Sequence, residues 1–136
     1  STNQHKNLVH YIVMELMSPF FGSGRNVIVD NYFTSHQLAV SLLSKSLTLL
    51  GTIRHHRKEV PECFKTYLRK TVNSNDFLFD HKHGIYLAEY IPKKNRSVLL
   101  LSSSHSKADT ANEECSFKPI MILDYNRTKG GVDTLD

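Results

Sequence analysis

Asp30 is the first residue along the chain whose type and setting could do chemistry. It ends the apolar run Val27-Ile28-Val29 and is followed by Asn31-Tyr32-Phe33-Thr34-Ser35. A short β-branched run reads as a buried strand, and a carboxylate at its end lies at the sheet edge, partly open to solvent. Hard divalent cations bind well in such a place, because they take carboxylate oxygens on a rigid frame. The alternative is that Asp30 only shapes the turn, through hydrogen bonds to its own backbone.

A second group is basic. Of the formal net charge of +4, all falls between Arg54 and Lys70, where six cations (Arg54, Arg57, Lys58, Lys65, Arg69, Lys70) face Glu59 and Glu62. Such a cluster fits a polyanionic partner, since neutralised phosphates release counterions, or else a solvated charged face. His55 and His56 are adjacent and point opposite ways on an extended chain, which argues against a shared metal. His81 and His83 form a His-x-His pair in a loop, a spacing that a metal could use but that exposed loop histidines seldom do. Cys63 and Cys115 are far apart, form no metal-type pair, and read as reduced thiols of an intracellular protein. The apolar stretch from Leu8 to Met17 is broken by His10 and Glu15, which excludes a membrane span or a signal peptide there.

Helical spacing of Val9, Ile12, Val13, Leu16 and Met17 predicts an amphipathic helix over 6–20, ended by Pro19, Gly22 and Gly24. The strand over 26–29 is followed by a helix over 35–46, for which Thr34 and Gln37 have capping-box spacing. A strand over 47–54 leads into the basic loop, and Pro61 starts a helical turn running towards Arg69. Strands at 77–79 and 85–91 flank a hairpin loop, Pro92 to Arg96 is a turn, and 98–101 is a further strand. Ser102 to Ser116 reads as a flexible Ser-rich loop. Phe117 to Leu123 reads as a last strand, irregular at Pro119. Gly130-Gly131 reads as a joint, with a helix beginning at Val132.

With these residues in view, the sequence resembles the piggyBac-type transposases. Two blocks carry the resemblance: Val29-Asp30-Asn31-Tyr32-Phe33-Thr34-Ser35, and Tyr125-Asn126 through Lys129-Gly130-Gly131-Val132-Asp133 to Leu135-Asp136. Between them, Gly51-Thr52-Ile53-Arg54 and Arg57-Lys58-Glu59-Val60-Pro61 follow in the same order.

The resemblance implies a mixed α+β fold: a partial RNase H-like core interrupted by a mainly β insertion subdomain. On this basis 1–75 is core, 76–123 the insertion-like segment and 124–136 the return to the core, starting the helix that carries Asp133. It further implies metal-dependent DNA strand cleavage and transfer by three aspartates, with Mg²⁺ or Mn²⁺ held by hard oxygen ligands. Asp30 matches the second catalytic aspartate and Asp133 the third, both as metal ligands, with Asp136 a further acidic ligand position. No Asp precedes Asp30 in the chain. The first aspartate is expected on a strand before residue 1, so this polypeptide alone is expected to be a fragment inactive on DNA. Arg54, Arg57, Lys58 and Lys129 are the expected nucleic-acid contacts. The implied partners are DNA, as transposon ends or non-specific duplex, and a second copy in a homodimer of the full-length protein. The implied location is the nucleus. A competing reading is a non-catalytic DNA-binding or interaction protein derived from such an element, and a third is a basic α+β domain of unrelated function.

Overall fold

The strand expected at 26–29 forms there as β1 (Asn26–Val29). The computed structural model describes residues 2–65, 70–105 and 118–135, with side chains described except at 2–7 and 128–135. Ahead of β1, helix α1 (Thr2–Met17) runs into a 3₁₀ turn over Ser18–Phe20, where Pro19 stops it. Gly22 and Gly24 follow with φ of +82° and +74°, a region L side chains avoid. Their N–H groups donate to Lys45 and Ser46 carbonyls at 2.7 and 2.9 Å, which anchors the lead-in to β1. The apolar stripe of α1 is only partly used. Val13 is buried and Met14 and Met17 pack on the core, whereas Leu8, Tyr11, Ile12 and Leu16 are exposed.

After β1 the chain turns into α2 (His36–Leu43) and returns as β2 (Thr48–Thr52), parallel to β1 with Val29 opposite Gly51. The capping box expected from Thr34 and Gln37 is not what starts α2. Ser35 is the N-cap, and its Oγ accepts the Leu38 N–H at 3.0 Å. Thr34, fully buried, instead donates its hydroxyl back to the Asp30 carbonyl at 2.8 Å, a contact that outcompetes capping because it closes the turn.

Pro61 is followed by one helical turn, α3 (Glu62–Lys65), and the expected continuation towards Arg69 lies outside the described residues. Three antiparallel strands then complete the sheet: β3 (Asn75–Asp80), β4 (Ile85–Lys93) and β5 (Arg96–Ser102). The order is β1-β2-β5-β4-β3, so the strands of 75–102 extend the same sheet as β1 and β2. β5 hydrogen-bonds β2 antiparallel, with Gly51 opposite Leu101. The register of β4 on β5 slips between Tyr90 and Lys93, around Pro92, which has no N–H to give the ladder.

Both faces of the sheet are covered. Leu49, Leu87, Leu99 and Leu101 pack on one side with Leu38, Ala39 and Leu42 of α2. Leu50, Ala88, Tyr90 and Leu100 pack on the other with Met121, Ile122 and Tyr125. Those last residues belong to α4 (Ile120–Leu135), and this corrects two expectations. Of the strand expected over Phe117 to Leu123, Phe117 lies outside the described residues and Ile120 to Leu123 are helical, because Pro119 lies just ahead of the helix, where its missing N–H is not needed and its carbonyl accepts from Ile122 at 2.9 Å. Gly130-Gly131 is not a joint before a helix starting at Val132. The pair lies inside α4 and Asp133 is near the helix end rather than its start. Two glycines cost a helix about 1 kcal/mol each relative to Ala, and the buried face of Met121, Ile122 and Tyr125 outweighs that.

Ser102 to His105 also differ from the expected flexible loop. The Ser103 N–H donates to the Leu49 carbonyl at 2.9 Å, and its Oγ accepts the Leu49 N–H at 2.8 Å. The rest of that loop, 106–117, lies outside the described residues, and Cys115 with it, while Cys63 is free and exposed.

Candidate active site

β1 delivers Asp30 to the end of the parallel pair with its side chain exposed. Its Oδ1 accepts the Tyr32 N–H at 3.0 Å, and its carbonyl accepts from the Phe33 and Thr34 N–H groups, each at 3.2 Å. Turn-shaping and an outward carboxylate are therefore the same arrangement, not alternatives. Gly51 makes the turn possible. A Cβ there would overlap the Thr34 hydroxyl and lie 2.7 Å from the Val29 carbonyl, so only glycine lets the turn close against β2.

The basic loop reaches this turn. Arg57 donates from Nη2 to the Tyr32 carbonyl at 3.3 Å and lies 3.9 Å from Glu59. Arg54 and Lys58 are exposed and form no ion pair among the described residues. The remainder of the basic group is differently used. Lys65 lies 3.6 Å from Glu62. Lys70 lies 2.6 Å from the buried Glu89, whose other oxygen accepts from Ser97 at 2.9 Å. His55 bonds the same serine at 2.8 Å. Burial pushes its imidazole below the ordinary value, Glu89 opposes the shift, and Lys70 and His56 add to it. Arg69 and Asp136 lie outside the described residues, and Asp133 and Lys129 fall on α4 where side chains are not described.

Two side-chain groups were not legible in the sequence. His105 bridges Ser102 and Asp124, with contacts of 2.7 Å to each, and Arg127 donates to the other Asp124 oxygen at 2.9 Å. The row Ser-His-Asp has the residue types of a hydrolase relay, but Ser102 has no exposed surface, so no acyl group can reach it. The row joins β5 to α4 instead. In the second group, His36 at the start of α2 and His83 of the β3–β4 loop both bond Asp80, each at 2.8 Å. The His81-x-His83 spacing is thereby resolved: His83 turns to Asp80, while His81 stacks edge-on against Phe79 at 4.6 Å. Only the fold could have shown that His36 joins them.

With α4 packed across β1, β2 and β5, the fold is a mixed sheet with helices on both faces and a carboxylate at the end of its parallel pair. This arrangement is similar to that of the piggyBac transposase seen by cryo-EM in a synaptic complex with hairpin DNA. The two share 44% identity and a TM-score of 0.84, over 95% of this chain and 27% of that one. The match bears out the mixed α+β, RNase H-like class expected from the sequence. A family model described as Transposase IS4 matches residues 1–136. From these residues and this fold, the chain belongs to the IS4-type transposase family, on its piggyBac-like side.

Proposed function

We propose that the chain contributes Asp30 and Asp133 to the metal-dependent DNA cleavage and transfer centre of a piggyBac-like transposase, with Asp136 as a further acidic ligand. The observation that carries this reading is the exposed Asp30 carboxylate, held by the Gly51–Thr34 turn at the end of β1 and flanked by Arg57. An outward carboxylate on a rigid turn fits a hard divalent cation. When bound, such ions activate the attacking oxygen and neutralise charge at phosphorus. The chain's own work is then to hold Asp30 still, to present Asp133 from α4, and to steer the DNA backbone with Arg54, Arg57, Lys58 and Lys129. Mg²⁺ and Mn²⁺ both suit oxygen ligands. The acting form is a homodimer in the nucleus.

The family resemblance puts the first of the three catalytic aspartates ahead of Asp30 in chain order, and none of residues 1–29 is an aspartate. The chain supplied alone with Mg²⁺ and transposon-end DNA should therefore not cleave. Joined to a piggyBac-type N-terminal segment bearing the first aspartate, it should cleave, and Asp30→Asn or Asp133→Asn should abolish cleavage while leaving DNA binding intact. Cleavage that persists in Asp30→Asn would remove the reading. A second reading, DNA binding without chemistry, is favoured by the exposed Arg54 and Lys58, which form no ion pair among the described residues, and binding without cleavage in the joined protein would support it.

A further inference from the structure

We propose that His36, Asp80 and His83 form a binding site for a divalent transition-metal ion of the Zn²⁺ class. The site rests on none of the transposase chemistry and shares no residue with it. His36 is the first residue of α2, Asp80 is the last residue of β3, and His83 lies in the loop joining β3 and β4. Forty-four positions separate His36 from Asp80, yet one ligand atom from each of the three residues lies within 4.8 Å of the other two. His36 Nε2 and His83 Nδ1 both face the same oxygen, Asp80 Oδ2, at 2.8 Å.

The carboxylate is preset for this role. Its other oxygen, Oδ1, accepts the backbone N–H groups of Lys82 and His83 at 3.0 and 3.3 Å. The loop backbone thus fixes the carboxylate plane and leaves Oδ2 aimed at both imidazoles. Outer hydrogen bonds of this kind are what orient metal ligands elsewhere. The two rings are already set edge to face, with centroids 5.3 Å apart.

The donor set selects the ion. Two imidazole nitrogens and one carboxylate suit Zn²⁺ and its transition-metal neighbours, whereas Mg²⁺ wants an all-oxygen octahedron. Bond lengths near 2.0–2.1 Å in a tetrahedral site put ligand atoms about 3.3 Å apart. The 2.8 Å contacts must therefore open by about half an ångström around the ion. His36, Asp80 and His83 side chains are each about a third exposed, so they have room to do so. His36 and Asp80 also border a cavity of about 360 Å³, lined further by Ile53, Glu59, Val60 and Leu87, where a water can complete the coordination. Binding uses the lone pairs of His36 Nε2 and His83 Nδ1, so the ring protons must sit on His36 Nδ1 and His83 Nε2. Protons compete with the ion for those lone pairs, so affinity should fall in acid.

Calorimetric titration of the chain with ZnCl₂ at pH 7.5, with MgCl₂ in parallel, tests the site. The expected result is one Zn²⁺ per chain, no matching Mg²⁺ binding, and a thermal midpoint raised by Zn²⁺. Co²⁺ in place of Zn²⁺ should give the visible absorption of a low-symmetry nitrogen–oxygen site. His36→Gln and His83→Gln should each weaken Zn²⁺ at least about tenfold, while Asp30→Asn should leave it unchanged. Circular dichroism checks that each variant is folded, and His83→Gln, on the loop, decides the matter should His36→Gln disturb α2. Absence of Zn²⁺ binding by the parent chain, or equal affinity in folded His83→Gln, would overturn the proposal.

Discussion

A Cβ added at Gly51 would press on the Val29 carbonyl and on the hydroxyl of Thr34, the residue that closes the Asp30 turn. Gly51→Ala should destabilise the chain by about 1–3 kcal/mol, the range for overpacking a filled site, as read from urea denaturation followed by circular dichroism. An unchanged midpoint would mean the turn does not depend on that close approach. At Asp80, hydrogen bonds from His36 first and His83 second hold the carboxyl well below the usual carboxylate range. A depressed folded value means that this stabilisation is complete above the unfolded value of about 3.9 and is lost as the pH falls from there towards the folded one. Asp80→Asn should thus be less stable than the parent at pH 7, with the gap narrowing at pH 3, and a gap independent of pH would contradict the assignment. Asp30 was legible because an apolar run stops abruptly at a carboxylate. The Asp80 pairing was not, because no local pattern connects a helix start with the end of a strand forty-four positions away.

At the scale of elements, β1, α2 and the β3–β4 hairpin follow their sequence patterns closely, since periodicity and turn residues agree there. The stretch around Pro119 went the other way. Local signals (a β-branched, apolar run and a glycine pair) favoured a strand and a joint, but burial of Met121, Ile122 and Tyr125 against the sheet imposes one helix through both. Tertiary packing overrode propensity. If α4 is continuous, Gly130→Ala should raise stability by about 0.5–1 kcal/mol, with a gain in helical ellipticity. Loss of stability there would restore the joint. The exposed Leu8, Tyr11 and Leu16 of α1 mark the opposite failure, where a helical stripe was read correctly but is only half covered among the described residues.

Over the whole molecule, composition located the charge excess but not its use. Lys65 and Lys70 face acidic partners and Arg57 is tied to the Asp30 turn, so Arg54 and Lys58 remain as the exposed cations of the described loop. These two should contribute roughly −2 to the log–log salt slope of non-specific duplex binding, and Arg54→Ala with Lys58→Ala should flatten it in fluorescence anisotropy. An unaltered slope would make the loop a solvated face. The sheet order puts β1 and β3 at opposite margins, four inter-strand steps or about 19 Å apart on a flat sheet. The His36–Asp80 contact nevertheless joins the segment leaving β1 to the end of β3. Outer strands normally fray independently, each exchanging its amide protons through its own small opening. Here a side-chain tie links the two margins, so the amides of β3 and of α2's first turn should exchange together, with one shared free energy of opening. His83 joins the same carboxylate, and whatever tightens that tie slows exchange at both margins at once.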